Sequence, residues 1–162
     1  MEAPTYLAKL NPHERDNRIV FDEGPHIYYI DGSSDGYMSV TTFNHAHFEK
    51  FDSDKIINNM MKSKNWPQSK YYGQTVSEIK AGWNKNCNEA AEAGTKMHYD
   101  IECYYNDMVV ENDSTEYQYF KNFLESYPEL KPYRTEWTVF HEELKLAGSI
   151  DMVFKDDDGN LL

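Results

Sequence analysis

Hydrophobic and polar positions along this chain follow two periods, and the change from one to the other marks its parts. Arg18–Phe21 and His26–Ile30 are rich in β-branched and aromatic residues and flank the turn Asp22-Glu23-Gly24-Pro25. A second turn cluster, Asp31–Gly36, precedes a third run, Tyr37–Thr42, so short strands are expected across this stretch. Near Asp52 the period becomes helical. Ser53 can cap a helix whose apolar stripe is Ile56, Ile57, Met60 and Met61. A second helix is expected from about Ser77, with Ile79 and Trp83 on one face, until Gly94 breaks or kinks it. Thr95 can cap a further stretch from Lys96 to about Asn106. Ser114 caps a last helix, with Tyr117, Phe120, Phe123 and Leu124 facing inward and Pro128 ending it.

After Pro132 the period falls to two. Thr135–His141 and Leu144–Lys155 are expected to pair antiparallel around Glu142-Glu143. Asp156–Asn160 is a strong turn signal, and Leu161 and Leu162 would open a third strand. The expected fold is α+β, with helices packed on a mostly antiparallel sheet. It is read as a single domain over residues 1–162 with a β-rich lead-in at about 18–42. A chain of 162 residues buries roughly 70% of its unfolded surface, enough for a real core.

Composition narrows the class. No run approaches the length of about 18 apolar residues that a membrane span needs. The opening MEAPTYLAKLNPHERDN lacks the apolar segment of a secretory signal, so an intracellular protein is expected. Cys87 and Cys103 have no metal-type spacing and suit a reducing compartment. The net charge of −12 argues against a simple DNA-coating module, because neutralised phosphates supply most nonspecific affinity. It argues less against an enzyme whose carboxylates hold a divalent cation, since the ion reverses the local field. Basic residues do gather in KSKNWPQSKYYG, with Trp66, Tyr71 and Tyr72 between them. Lys64, Trp66, Lys70 and Tyr71 are therefore candidate nucleic-acid contacts. The same residues also fit a solvated loop with its aromatics turned into the core.

The chemistry-bearing residues lie further on. In Gly94–Glu102, His98 and Glu102 fall one helical turn apart, about 6 Å along the axis and on one face. Such a pair can bind one metal ion, or the Glu can orient the His, and it can equally be a surface pair. Asp151 interrupts the apolar run Ile150-Met152, and a buried unpaired carboxylate costs several kcal/mol. It therefore needs a partner, a metal or an open face. Ser149, Asp151 and Val153 share one face of that strand, and Gly148 leaves room for a close-approaching helix or ligand. Glu136 breaks the neighbouring β-rich run Thr135–Phe140. Two acids on adjacent strands and a preceding His/Glu helix point to a divalent-metal site, and acids facing solvent are the alternative.

Gly94–Glu102, Glu136-Trp137-Thr138-Val139 and Gly148-Ser149-Ile150-Asp151-Met152-Val153, in that order, resemble the RecB-like branch of the PD-(D/E)XK nuclease superfamily. His26-Ile27-Tyr28-Tyr29 followed by Ser39-Val40-Thr41-Thr42 also resembles the opening of phage, large-virus and mitochondrial exonucleases of that branch. The resemblance covers about residues 26–162. It implies a restriction-endonuclease-like core and phosphodiester hydrolysis with Mg²⁺ or Mn²⁺ on nucleic acid, in the first place DNA. It makes Asp151 the central metal-bridging carboxylate and His98 the imidazole ligand, with Glu102 and Glu136 as accessory groups orienting ligands or water. The family's [D/E]-x-K strand has no counterpart after Asp151 in these residues. The expectation is therefore a core incomplete at its C-terminal side and an inactive fragment. Its open sheet edge would serve self-association or a completing segment. A non-catalytic module that binds nucleic acid or protein with a nuclease-like half-fold is the competing reading.

Overall fold

The computed structural model describes residues 4–162, and these form an α+β structure. They divide into two compact units: one runs up to His47 and resumes at Met97–Leu162, and the other is Phe48–Lys96.

In the first unit, β1 (Ile19–Asp22) and β2 (Ile27–Ile30) form an antiparallel hairpin. A separate sheet joins β3 (Met38–Ser39), β5 (Leu146–Lys155) and β4 (Lys131–His141) in the order β3-β5-β4. β4 and β5 run antiparallel with a bulge between Pro132 and Arg134, whereas β3 pairs parallel to β5 at Leu146 and Ala147. The sheet is thus mixed at one edge. On that edge Leu162 exchanges backbone hydrogen bonds with Phe154 at 2.9 and 3.0 Å. Between these contacts, no strand lies along Gly148–Val153 among the described residues.

The run expected as a third strand over Tyr37–Thr42 is a strand only at Met38 and Ser39. It turns at once into α2 (Val40–His45). The Ser39 hydroxyl accepts a hydrogen bond from the Thr42 amide at 3.1 Å, an N-cap that outweighs the strand preference of the β-branched Val40, Thr41 and Thr42. Gly148 then explains itself: a Cβ there would lie 3.3 Å from Val40 Cγ2, so its bareness lets the start of α2 approach β5.

Helix α4 (Val76–Tyr105) is one uninterrupted helix of 30 residues, running straight through Gly94 where a break is expected. A helical glycine costs only about 1 kcal/mol, which the surrounding Ala and Glu positions outweigh. It opens with a capping box at Thr75 and Glu78, not at Ser77. Its C-terminal turn packs with α1 (Tyr6–Leu10) and α5 (Thr115–Ser126) around Leu7, Tyr105, Tyr117 and Phe120, closed by Met152 and Phe154 of β5. α5 starts where the Ser114 hydroxyl accepts from the Tyr117 amide, and it stops ahead of Pro128, which disfavours helical backbone at the preceding residue. Buried Asn106 ties these parts together. It accepts from the Leu7 amide at 2.9 Å and donates to Thr135 Oγ1 at 2.9 Å. Elsewhere in this unit Ile19, Tyr28, Ile30, Phe140 and Ala147 form a second core.

In the unit Phe48–Lys96, α3 (Ser53–Lys62) is capped by Asp52, which accepts from the Lys55 amide, while Ser53 is its first helical residue. Ile57 of α3 and Ile79 of α4 are its fully buried side chains.

Candidate metal centre

Three elements of the first unit deliver the candidate residues. α4 carries His98 and Glu102, β4 carries Glu136, and β5 carries Asp151. His98 Nδ1 lies 3.9 Å from Asp151 Oδ2, and one donor atom each from His98, Glu136 and Asp151 falls within 4.8 Å of the others. All three side chains are exposed, so the carboxylates remain partly solvated without a counter-charge. Together with Ile101, Glu102, Thr135 and Met152 they line a cavity of about 170 Å³.

The backbone is unusual at this point. The β4–β5 ladder pairs Thr135 with Met152 and Trp137 with Ile150, passing over Glu136 and Asp151 between them. Glu136 has φ of 44°, left-handed for a non-glycine residue in a strand. Such a conformation costs of order 1–3 kcal/mol and persists only where its surroundings over-determine it. Ser149 donates its hydroxyl to Glu136 Oε2 at 3.1 Å and holds the carboxylate toward the cavity.

The electrostatics show an acidic pocket short of positive charge. Burial pushes the Glu102 carboxyl up to about 7, and the charges of Glu136 and Glu23 add to that rise. Glu136 is also raised, first by burial and then by Asp151 and Glu23, against the lowering pull of the Ser149 hydrogen bond and His98. A divalent cation would relieve this repulsion. In an octahedral shell at about 2.1 Å, opposite ligand atoms stand about 4.2 Å apart, and the His98–Asp151 separation of 3.9 Å lies inside that span. One imidazole and carboxylate oxygens suit a hard or borderline ion better than a thiophilic one. His98, Glu136 and Asp151 are the residues that would hold it, with Glu102 behind them as a half-buried carboxyl.

Glu136 thus clusters with His98 and Asp151, closer than an accessory position would require. Glu23, in the β1–β2 turn, enters the field of both glutamates although its sequence context signals nothing beyond a turn. No lysine lines the cavity among the described residues, and Lys155 is exposed near the end of β5.

The candidate nucleic-acid contacts lie in the other unit. Lys64 and Lys70 are exposed, and Trp66 begins a short 3₁₀ turn. The Tyr71 hydroxyl accepts from Trp83 Nε1 at 2.8 Å, which ties Tyr71 down, whereas neighbouring Tyr72 is 59% exposed. No helix among the described residues is long and apolar enough to cross a membrane. Comparison with protein-family models, with curated proteins and with solved structures finds no match to this chain.

Proposed function

We propose that this chain carries a nuclease-type divalent-metal centre on a restriction-endonuclease-like core, of the kind that hydrolyses nucleic-acid phosphodiesters but too short of positive charge to cut ordinary DNA at a meaningful rate. The observation that carries the reading is the convergence of His98, Glu136 and Asp151 from a helix and two strands onto one cavity. When bound, Mg²⁺ or Mn²⁺ supplies the charge that acidifies water and offsets the phosphoryl oxygens. The protein's part is to hold the ion with His98, Asp151 and Glu136. Ser149 fixes the Glu136 carboxylate, and Glu102, with its carboxyl near neutrality, can take or give a proton beside the ligands. No lysine among the described residues lines the cavity to meet charge developing on an alkoxide leaving group.

That deficit directs the test. An activated diester, the p-nitrophenyl ester of thymidine 5′-phosphate, has a leaving group that needs no such help. The chain should hydrolyse it slowly with Mn²⁺, while ordinary DNA is cut at no meaningful rate. Asp151→Ala should abolish the hydrolysis, and equal turnover by that variant, or turnover in EDTA, would refute the assignment. The lysine-free cavity also favours a second reading, a non-catalytic module whose metal serves to bind nucleic acid. Mn²⁺ binding with no turnover of the activated ester would select it.

A further inference from the structure

The unit Phe48–Lys96 has a different charge character from the rest of the chain. It holds eight of the sixteen basic residues but six of the twenty-eight acids, in a protein of net charge −12. Three of those lysines, Lys62, Lys64 and Lys70, flank a run of turns that the backbone holds firmly. Ser63 accepts from Trp66 N, Asn65 from Gln68 N, Trp66 from Ser69 N and Ser69 from Tyr72 N, all through main-chain carbonyls. The Ser63 and Ser69 hydroxyls accept from the Asn65 and Tyr71 amides, each at 3.2 Å. Lys62, Lys64 and Lys70 have no carboxylate at ion-pair distance among the described residues, unlike Lys80, which Asp54 neutralises at 2.8 Å.

Within these turns a cleft of about 320 Å³ is lined by Met60, Ser63, Asn65, Trp66, Gln68 and Ser69. Its lining combines one flat aromatic wall, one methionine and two carboxamides that find no protein partner among the described residues. Tyr72 stands edge-on to Trp66, with ring centroids 5.9 Å apart, and keeps its own ring in solvent. Flat apolar walls with a few polar groups are the chemistry of a nucleobase site. Bases stack on aromatic faces, and Asn and Gln amides pair with base edges.

We propose that this cleft takes one unstacked base of a single-stranded nucleic acid, with Lys62, Lys64 and Lys70 meeting the flanking phosphates. A duplex keeps its bases stacked and cannot present one to Trp66. The site lies apart in sequence from the metal ligands and needs no metal, so it stands whether or not the diester chemistry is correct.

The test is fluorescence anisotropy of labelled dodecamers with the full chain in EDTA. Single-stranded oligo-dA should bind at least fivefold tighter than the matching duplex. Trp66→Ala should weaken it roughly tenfold, the usual effect of losing one base-stacking ring. Lys62→Gln with Lys64→Gln, both at exposed positions, should flatten the dependence of log affinity on log salt by about 1.4, from about 0.7 per lost phosphate contact. This pair carries the test if Trp66→Ala fails to fold. Equal affinity for duplex, no binding, or an unchanged salt slope in the lysine pair would overturn the proposal. So would equal competition by polyglutamate, which would indicate an acidic protein partner.

Discussion

Glu136 faces Asp151 across the β4–β5 hairpin at the step where the ladder is interrupted, with Glu136 in left-handed backbone. Two carboxylates and the Glu23 charge crowd a site that they share with the His98 imidazole. Carboxylates crowded in this way cost local stability unless a cation relieves them. Asp151→Asn, in EDTA at pH 7, should therefore leave unfolding free energy within about 0.5 kcal/mol of the parent or raise it. Urea denaturation checks this, and a loss well above 1 kcal/mol would make Asp151 a structural residue.

The Glu102 carboxyl, raised to about 7 from an ordinary 4.5 by burial and then by Glu136 and Glu23, gives a stability that depends on pH. Between those two values the folded protein binds more protons than the unfolded chain, so stability falls as pH rises from about 4.5 through 7. Glu102→Gln should flatten this decline and make the variant relatively more stable at pH 8 than at pH 5. Urea melts at several pH values in EDTA read the difference, and parallel curves would contradict it.

Asp16 behaves oppositely. Burial acts to raise its carboxyl, but hydrogen bonds from Arg134, the His13 backbone and Trp137 outweigh that and hold it below 3.8. Its contribution is present above the ordinary carboxylate range and is lost as pH falls through the depressed folded value. Arg134 is 6% exposed and donates to Asp16 Oδ2 at 2.8 Å. Asp16→Asn strips the carboxylate from that buried guanidinium and should cost roughly 3 kcal/mol, the lower end for breaking a buried pair. Chemical denaturation at pH 7 measures it.

Gly94 sits in α4 with nothing within 4 Å of where a Cβ would lie. Gly94→Ala should raise stability by about 0.5–1 kcal/mol, because alanine restricts the unfolded chain and suits a helix interior. A destabilised variant would show that the helix is interrupted there in solution.

These residues also show what could be read from the chain and what could not. Period-two alternation was enough to pair β4 with β5, although β4 begins at Lys131 and the turn spans Glu142–Lys145 rather than Glu142-Glu143, and the Ser114 cap with its apolar stripe was enough to place α5. The four candidate site residues stood out because an acid inside a β-rich run, or a His/Glu pair at helical spacing, is a local anomaly. Long-range effects left no such trace. The Ser39 cap that turns Val40–His45 helical competes with strand propensity on nearly even terms, and Gly94 is tolerated only because its helical neighbours carry it. The Glu23 field on Glu102 and Glu136, and the pairing of Asp16 with Arg134, join residues over a hundred positions apart or across separate elements. No local pattern encodes them.

The proposed function requires that His98, Glu136 and Asp151 hold a divalent cation. Titrating Mn²⁺ with the protein while following the electron paramagnetic resonance signal of the free ion measures that claim directly. The parent should bind one ion, and His98→Ala and Asp151→Ala should each weaken binding at least about tenfold, the scale on which even outer-shell losses act. Mn²⁺ affinity unchanged in both variants would contradict the assignment.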